Sequence, residues 1–136
     1  MNNINDFIKT LVSIDKIEGT NDFGHYPFQA LSESKDGEIT ISTLALGGDV
    51  ISCYKIFKKQ LTEGATKMYM SLDFPAGGDI KDDFVMVFSY ENKELSKIAI
   101  PYNIKTGERL DPITESNHLE KIFNNFKSVI SASLFL

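Results

Sequence analysis

Residues 65–102 read ATKMYMSLDFPAGGDIKDDFVMVFSYENKELSKIAIPY, and this stretch decides the fold. Met68, Met70, Leu72 and Phe74 alternate with Tyr69, Ser71 and Asp73. Pro75, Ala76, Gly77 and Gly78 turn the chain, after which Phe84, Met86, Phe88 and Tyr90 alternate with Val85, Val87 and Ser89. A polar turn over 91–94 leads to a third run near 95–102, where Ile98 and Ile100 face together. Alternation with a period of two marks strands, and connections this short join antiparallel neighbours. Apolar residues occupy both sides of these strands, so the sheet needs cover on both faces.

Upstream, GGDVISCYKIFKKQLTEG at 47–64 changes the period. Val50, Cys53, Tyr54, Phe57 and Leu61 fall on one helical stripe, Asp49 suits the N-cap, and Gly64 suits the left-handed residue after the last turn. Before it, Lys35, Asp36 and Gly37 separate two strand-like runs near 26–33 and 38–46, a hairpin signal. In the second run Ile39, Ile41 and Thr43 make a clearly apolar face. Ile4, Phe7, Ile8, Leu11 and Val12 recur at helical spacing behind Asn3, which predicts a first helix of about three turns. Residues 15–25 read as a connecting loop. A last helix, begun around Asp111-Pro112 or Thr114, carries Leu119, Ile122, Phe123, Phe126, Val129 and Ile130 on one stripe.

The elements thus run αββαβββα, an α+β domain with a five-stranded antiparallel sheet and three helices, expected to form a single domain over 1–136. This order is similar to that of profilin-like and roadblock-like domains, which implies helices on both faces of the sheet. The likeness is one of element order, and fold of this kind does not fix function.

Composition narrows the function classes. The 42% hydrophobic and 24% charged fractions are those of a globular chain, so disordered and collagen-like classes fall away. Nineteen acidic against 14 basic side chains give a net charge of −5, and the basic residues are scattered apart from Lys58-Lys59. A nucleic-acid surface needs clustered cations, so no nucleic-acid partner is expected. Cys53 is the single cysteine, which rules out an intramolecular disulfide and a thiolate zinc site and points to a reducing compartment. MNNINDFIKT has no basic region ahead of an apolar one, and no apolar run is long enough to span a membrane. A cytoplasmic protein is expected.

Four candidate sites follow. Gly47-Gly48 ahead of a helix loosely resembles a phosphate-binding turn, but Asp49 would repel an anion there and satisfy the same amides itself. Asp73, Asp79, Asp82 and Asp83 sit about a glycine-rich turn that could gather oxygen ligands for a hard cation, though without the spacing of an EF-hand. That turn, 75–81, otherwise reads as a solvated loop tip that tolerates insertion. Cys53 with His25 or His118 has the chemistry of an activated thiol, yet Cys53 lies on the apolar stripe and His118 is expected to be exposed. Finally, Tyr26, Tyr69, Tyr90 and Tyr102 on strands, with Phe23, Phe28, Phe74, Phe84 and Phe135, supply aromatic area for a core or a binding surface.

With no catalytic constellation, the expectation is a non-enzymatic binding module that docks to a protein partner or captures a small ligand, as an adaptor, an inhibitor or an immunity-type protein. No cofactor is expected. Tyr69, Asp73, Asp79, Asp82, Asp83, Leu134 and Phe135 are its candidate contact residues, and the apolar end at Leu134-Phe135-Leu136 is expected either to dock back on the chain's own sheet or to form a subunit interface, that of a homodimer. The alternative is a small divalent-metal-dependent enzyme working from the acidic turn 73–83.

Overall fold

The computed structural model describes residues 3–11, 26, 28–44 and 50–134, and only the backbone at 42–44 and 132–134. Helix α1 spans Ile4–Thr10, strands β1 and β2 span Phe28–Ser34 and Ile39–Leu44, and helix α2 spans Val50–Thr62. Strands β3 (Ala65–Phe74), β4 (Phe84–Glu91) and β5 (Glu94–Pro101) follow, then helix α3 (Asn117–Leu134). This is the expected order. The five strands form one antiparallel sheet in the order β2-β1-β3-β4-β5.

Local chemistry accounts for the boundaries. Gly37 turns the β1–β2 hairpin at a φ of 82° and donates to Ser34 O at 3.0 Å. The β4–β5 turn is made by Asn92 and Lys93, both at positive φ, the left-handed pair that matches the twist of a tight hairpin. Gly64, at a φ of 98°, ends α2 as expected. Asn3 caps α1 by accepting from Asp6 N at 3.0 Å. Two helices differ from expectation. α1 has seven residues rather than three turns, because Leu11 already adopts an extended ψ of 126°. α3 starts at Asn117 rather than near Asp111 or Thr114, because residues 109–113 run along β5: Ile113 exchanges backbone hydrogen bonds with Ala99 at 2.8 and 2.9 Å.

β3 and β4 bury both faces. On one, Met68, Met70, Leu72, Met86 and Phe88 meet Cys53, Tyr54 and Phe57 of α2 and Leu119, Phe123 and Phe126 of α3. Phe126 is the hub of this core, with ring centroids 4.2 Å from Phe88 and 5.1 Å from both Tyr54 and Phe57. Lys97 reaches over this face at its β5 edge, pairs with Glu120 and lies 4.9 Å above the Phe123 ring. On the opposite face Leu31, Tyr69, Val85, Val87 and Ile100 meet Phe7 and Leu11, so helices do cover both faces. Among the described residues, no helix is long and apolar enough to cross a membrane.

Cys53 is fully buried in the first core. Native protein should therefore react with a thiol reagent far more slowly than free cysteine and at full rate only once denaturant is added. Cys53→Asp should destabilise by about 4 kcal/mol or more, because an unpaired charge would replace a small apolar group. Denaturant titration of both proteins measures the difference.

Candidate functional site

The four aspartates of the acidic turn go to different tasks. Asp73, at the end of β3, accepts from Tyr26 N at 2.9 Å and from the Tyr102 hydroxyl at 2.7 and 2.8 Å. Burial first, then this hydrogen bond and the Asp73 charge, push the Tyr102 hydroxyl pKa upward. Tyr26 stands edge-on to Tyr102, and Arg109 Nε donates to the Tyr26 hydroxyl at 3.1 Å. The remaining guanidinium nitrogens donate to Ile8 O at 3.1 Å and Leu11 O at 2.8 Å. A cation thus binds the carbonyl end of α1, where the helix dipole favours it.

Asp79 performs the opposite service for α3. Its carboxylate accepts from the Ser116 hydroxyl at 2.6 Å, from Asn117 N at 2.9 Å and from His118 N at 3.1 Å, while Ser116 Oγ accepts from Leu119 N at 3.1 Å. Ser116 is the N-cap and Asp79 completes the cap from a loop far away in sequence. The Ser116 bond first, then the two amides, hold the Asp79 carboxyl at about 2. Asp83 Oδ1 accepts from Ala76 N at 2.9 Å and closes the turn, whereas Asp82 is exposed. Among the described residues, no group of three or more His, Cys, Asp or Glu side chains is arranged to hold a metal ion.

In the turn 75–81, Pro75, Ala76, Gly78, Asp79 and Lys81 are exposed as expected of a solvated loop, but the turn is also internally bonded. Gly77 and Ile80 exchange backbone hydrogen bonds at 2.9 and 3.0 Å, and Ile80 is buried. A Cβ on Gly78, which has a φ of 53°, would stand 2.8 Å from His118 Cβ, so the turn is pressed against the start of α3. His118 is accordingly half-buried rather than exposed, with its ring 6.0 Å from that of Phe84. Tyr69 is not at a surface: it is fully buried and stacked on Phe7 at 5.5 Å. Its hydroxyl and Glu91 Oε1 are shielded from solvent, and neither has a partner in hydrogen-bonding geometry among the described residues. Burial, then Glu91, raise the Tyr69 pKa. Leu134 is the last residue of α3. Val12, Phe23, His25, Gly47, Gly48, Asp49, Phe135 and Leu136 lie outside the described residues.

The surface that sequence reasoning missed is the β2 edge. Ile39 and Ile41, read with Thr43 as an apolar face, are 52% and 72% exposed. They share a face with Leu31, but α1 packs over Tyr69 and the middle strands, and β2 lies at the margin of the sheet. The two edges differ. β5 is partly covered by residues 109–113, which bond to Ala99 and Pro101. Among the described residues, β2 pairs with β1 alone. On its other face Thr40 borders a hollow of about 230 Å³ between β1, β2 and the end of α2, lined also by Ser32, Glu38, Gln60 and Glu63. Ser32 Oγ donates to Gln60 Oε1 at 3.2 Å beneath it. An uncharged strand with exposed isoleucines and an unpaired edge can bind a further strand through backbone hydrogen bonds. The sequence signal was present in the uncharged run ITISTL, but nothing local says which strand is outermost.

Comparison of the chain with protein-family models, with curated proteins and with solved structures finds no match. The likeness to profilin-like and roadblock-like domains therefore stays one of element order.

Two predictions arise from the turn. The Asp79 pKa is lowered from 3.8 to about 2, so its contribution to stability is present above pH 3.8 and lost as pH falls through about 2. Asp79→Asn should melt at a lower temperature near neutral pH, and its melting temperature should fall less than the wild type's across that acid window. Thermal melts at a series of pH values check both. Gly78→Ala should cost about 2 kcal/mol from its left-handed backbone alone, with the His118 contact adding to it. Gly77→Ala should cost less, because its Cβ meets only the movable end of the His118 ring, at 2.9 Å from Nε2. Chemical denaturation of the pair tests the ranking.

Proposed function

We propose that this chain is a non-enzymatic binding module that docks a protein partner by strand addition at the outer edge of β2. The observation that carries this reading is the exposure of Ile39 and Ile41 on a strand that, among the described residues, is paired along one edge only. Natural sheets blunt such edges with lysine, proline or a bulge, and ITISTL has no charged residue and no proline. Unpaired backbone donors and acceptors supply affinity, and the alternating side chains supply selectivity. The aspartates at 73, 79 and 83 already accept hydrogen bonds from the protein, which favours docking over metal-dependent catalysis at that turn. The single cysteine, buried and without a disulfide, supports a reducing compartment, and a cytoplasmic module is the reading that goes with it.

Panning a displayed random-peptide library on wild-type protein and on the Ile39→Lys/Ile41→Lys double variant tests the proposal. Both positions are exposed, so the variant should melt within a few degrees of wild type. Peptides enriched on wild type should fail on the variant and should slow amide exchange at 39–44. Enrichment that is equal on the two proteins, or none at all, would sink the reading.

A further inference from the structure

Resting on that reading of β2 as a docking edge, we propose that the strand it accepts is basic and amphipathic, with apolar residues alternating with lysine or arginine. A strand added to β2 lies about 4.8 Å from it, and its side chains alternate between the two faces. On one face its neighbours are Ile39 and Ile41, which apolar side chains of the partner would cover. On the other face its neighbours are Thr40 and the hollow beside it, whose charged lining residues, Glu38 and Glu63, are both acidic. The hollow, about 230 Å³ in volume, has room for a long side chain, and Gln60 and Thr40 add polar atoms to its wall. Lys59 does approach Glu63 at 3.9 Å, but both side chains are more than half exposed, so this pair is weak and leaves the carboxylate open to a partner.

The two faces thus ask for different chemistry in one peptide. A second copy of the chain would answer only one of them. Its own β2, ITISTL, carries Ile39 and Ile41 on one side but uncharged Thr40 on the other, so it offers no cation to Glu38 and Glu63. A basic strand gains opposite charge at the hollow and is steered there by the field of the whole chain.

The test uses labelled strand-length peptides alternating valine with lysine, with threonine or with glutamate, measured by fluorescence anisotropy against the full chain. The lysine peptide should bind at least about tenfold tighter than the threonine peptide at low salt. That preference should shrink as salt is added and nearly vanish in the Glu38→Gln/Glu63→Gln variant. All binding should be lost in Ile39→Lys/Ile41→Lys. If the threonine or glutamate peptide binds as tightly, or if the lysine preference survives in the double glutamine variant, the basic partner is overturned while docking at β2 stands. If light scattering finds a dimer that Ile39→Lys/Ile41→Lys dissociates, a second copy is the occupant and the proposal is also overturned. Failure of every peptide, or binding indifferent to the isoleucines, removes the docking reading and this inference with it.

Discussion

Burial of β3 and β4 on both faces is the constraint from which the rest of the architecture follows. A strand whose two sides are apolar cannot rest against water on either, so each side needs a cover. The even-numbered side of β3, with Met68, Met70 and Leu72, takes two helices, and the odd-numbered side, with Tyr69, takes one. The inequality is visible in length: α2 and α3 have 13 and 18 residues, α1 only seven. Helices α2 and α3 extend over a broad aromatic core centred on Phe126, whereas α1 offers little more than Phe7 and Leu11 and leaves the β2 margin of its face, with Ile39 and Ile41, in water.

Placing the helices requires more than apolar contact, and two charged side chains from distant loops supply it. Asp79 sits on the amide end of α3 and Arg109 on the carbonyl end of α1, each opposite in sign to the partial charge it meets. Both also tie a connecting loop to a helix. Residues 75–83 are held against α3, and the segment carrying Arg109 is held between β5 and α1. Of the four aspartates that looked like cation ligands in the sequence, Asp73, Asp79 and Asp83 accept hydrogen bonds from the protein's own amides and hydroxyls. Lone pairs that accept from an amide or hydroxyl are less available to a cation, which needs several oxygen acceptors converging on one point.

Much of the fold was legible because its signals are local. Alternation in 65–102, the Asp36-Gly37 turn and the Gly64 terminator each depend on a few neighbouring residues, and each lies in the structure where it was expected. The start of α3 was misread because Pro112 suits a first helical turn, whereas residues 109–113 found hydrogen bonds along β5 and left Ser116 as the cap. The candidate site was harder to see. Ile39 and Ile41 alternate like core residues, and only the sheet order, a non-local property, reveals that they lie at a margin. Tyr69 failed as a surface residue for the converse reason: its position beneath Phe7 depends on where α1 docks. Asp79 was read only as one of four acidic candidates, and its partners Ser116, Asn117 and His118 are more than thirty residues away, where no spacing rule links them.

The anchorage of α1 has a consequence for how the molecule opens. Seven residues are too few to form a stable helix alone, so α1 exists only while docked. Its docking rests on Phe7 and Leu11 in the smaller core and on a single guanidinium that grips Ile8 O and Leu11 O while leaning on Tyr26. The larger core shares none of these contacts. Undocking of α1, which needs the loss of these apolar contacts as well as of Arg109, would bare the stacked face of Tyr69 and leave the other side of the sheet backed by α2 and α3. Opening of this kind should cost less than global unfolding, so the amides of α1 should exchange with solvent before those of β3 and β4.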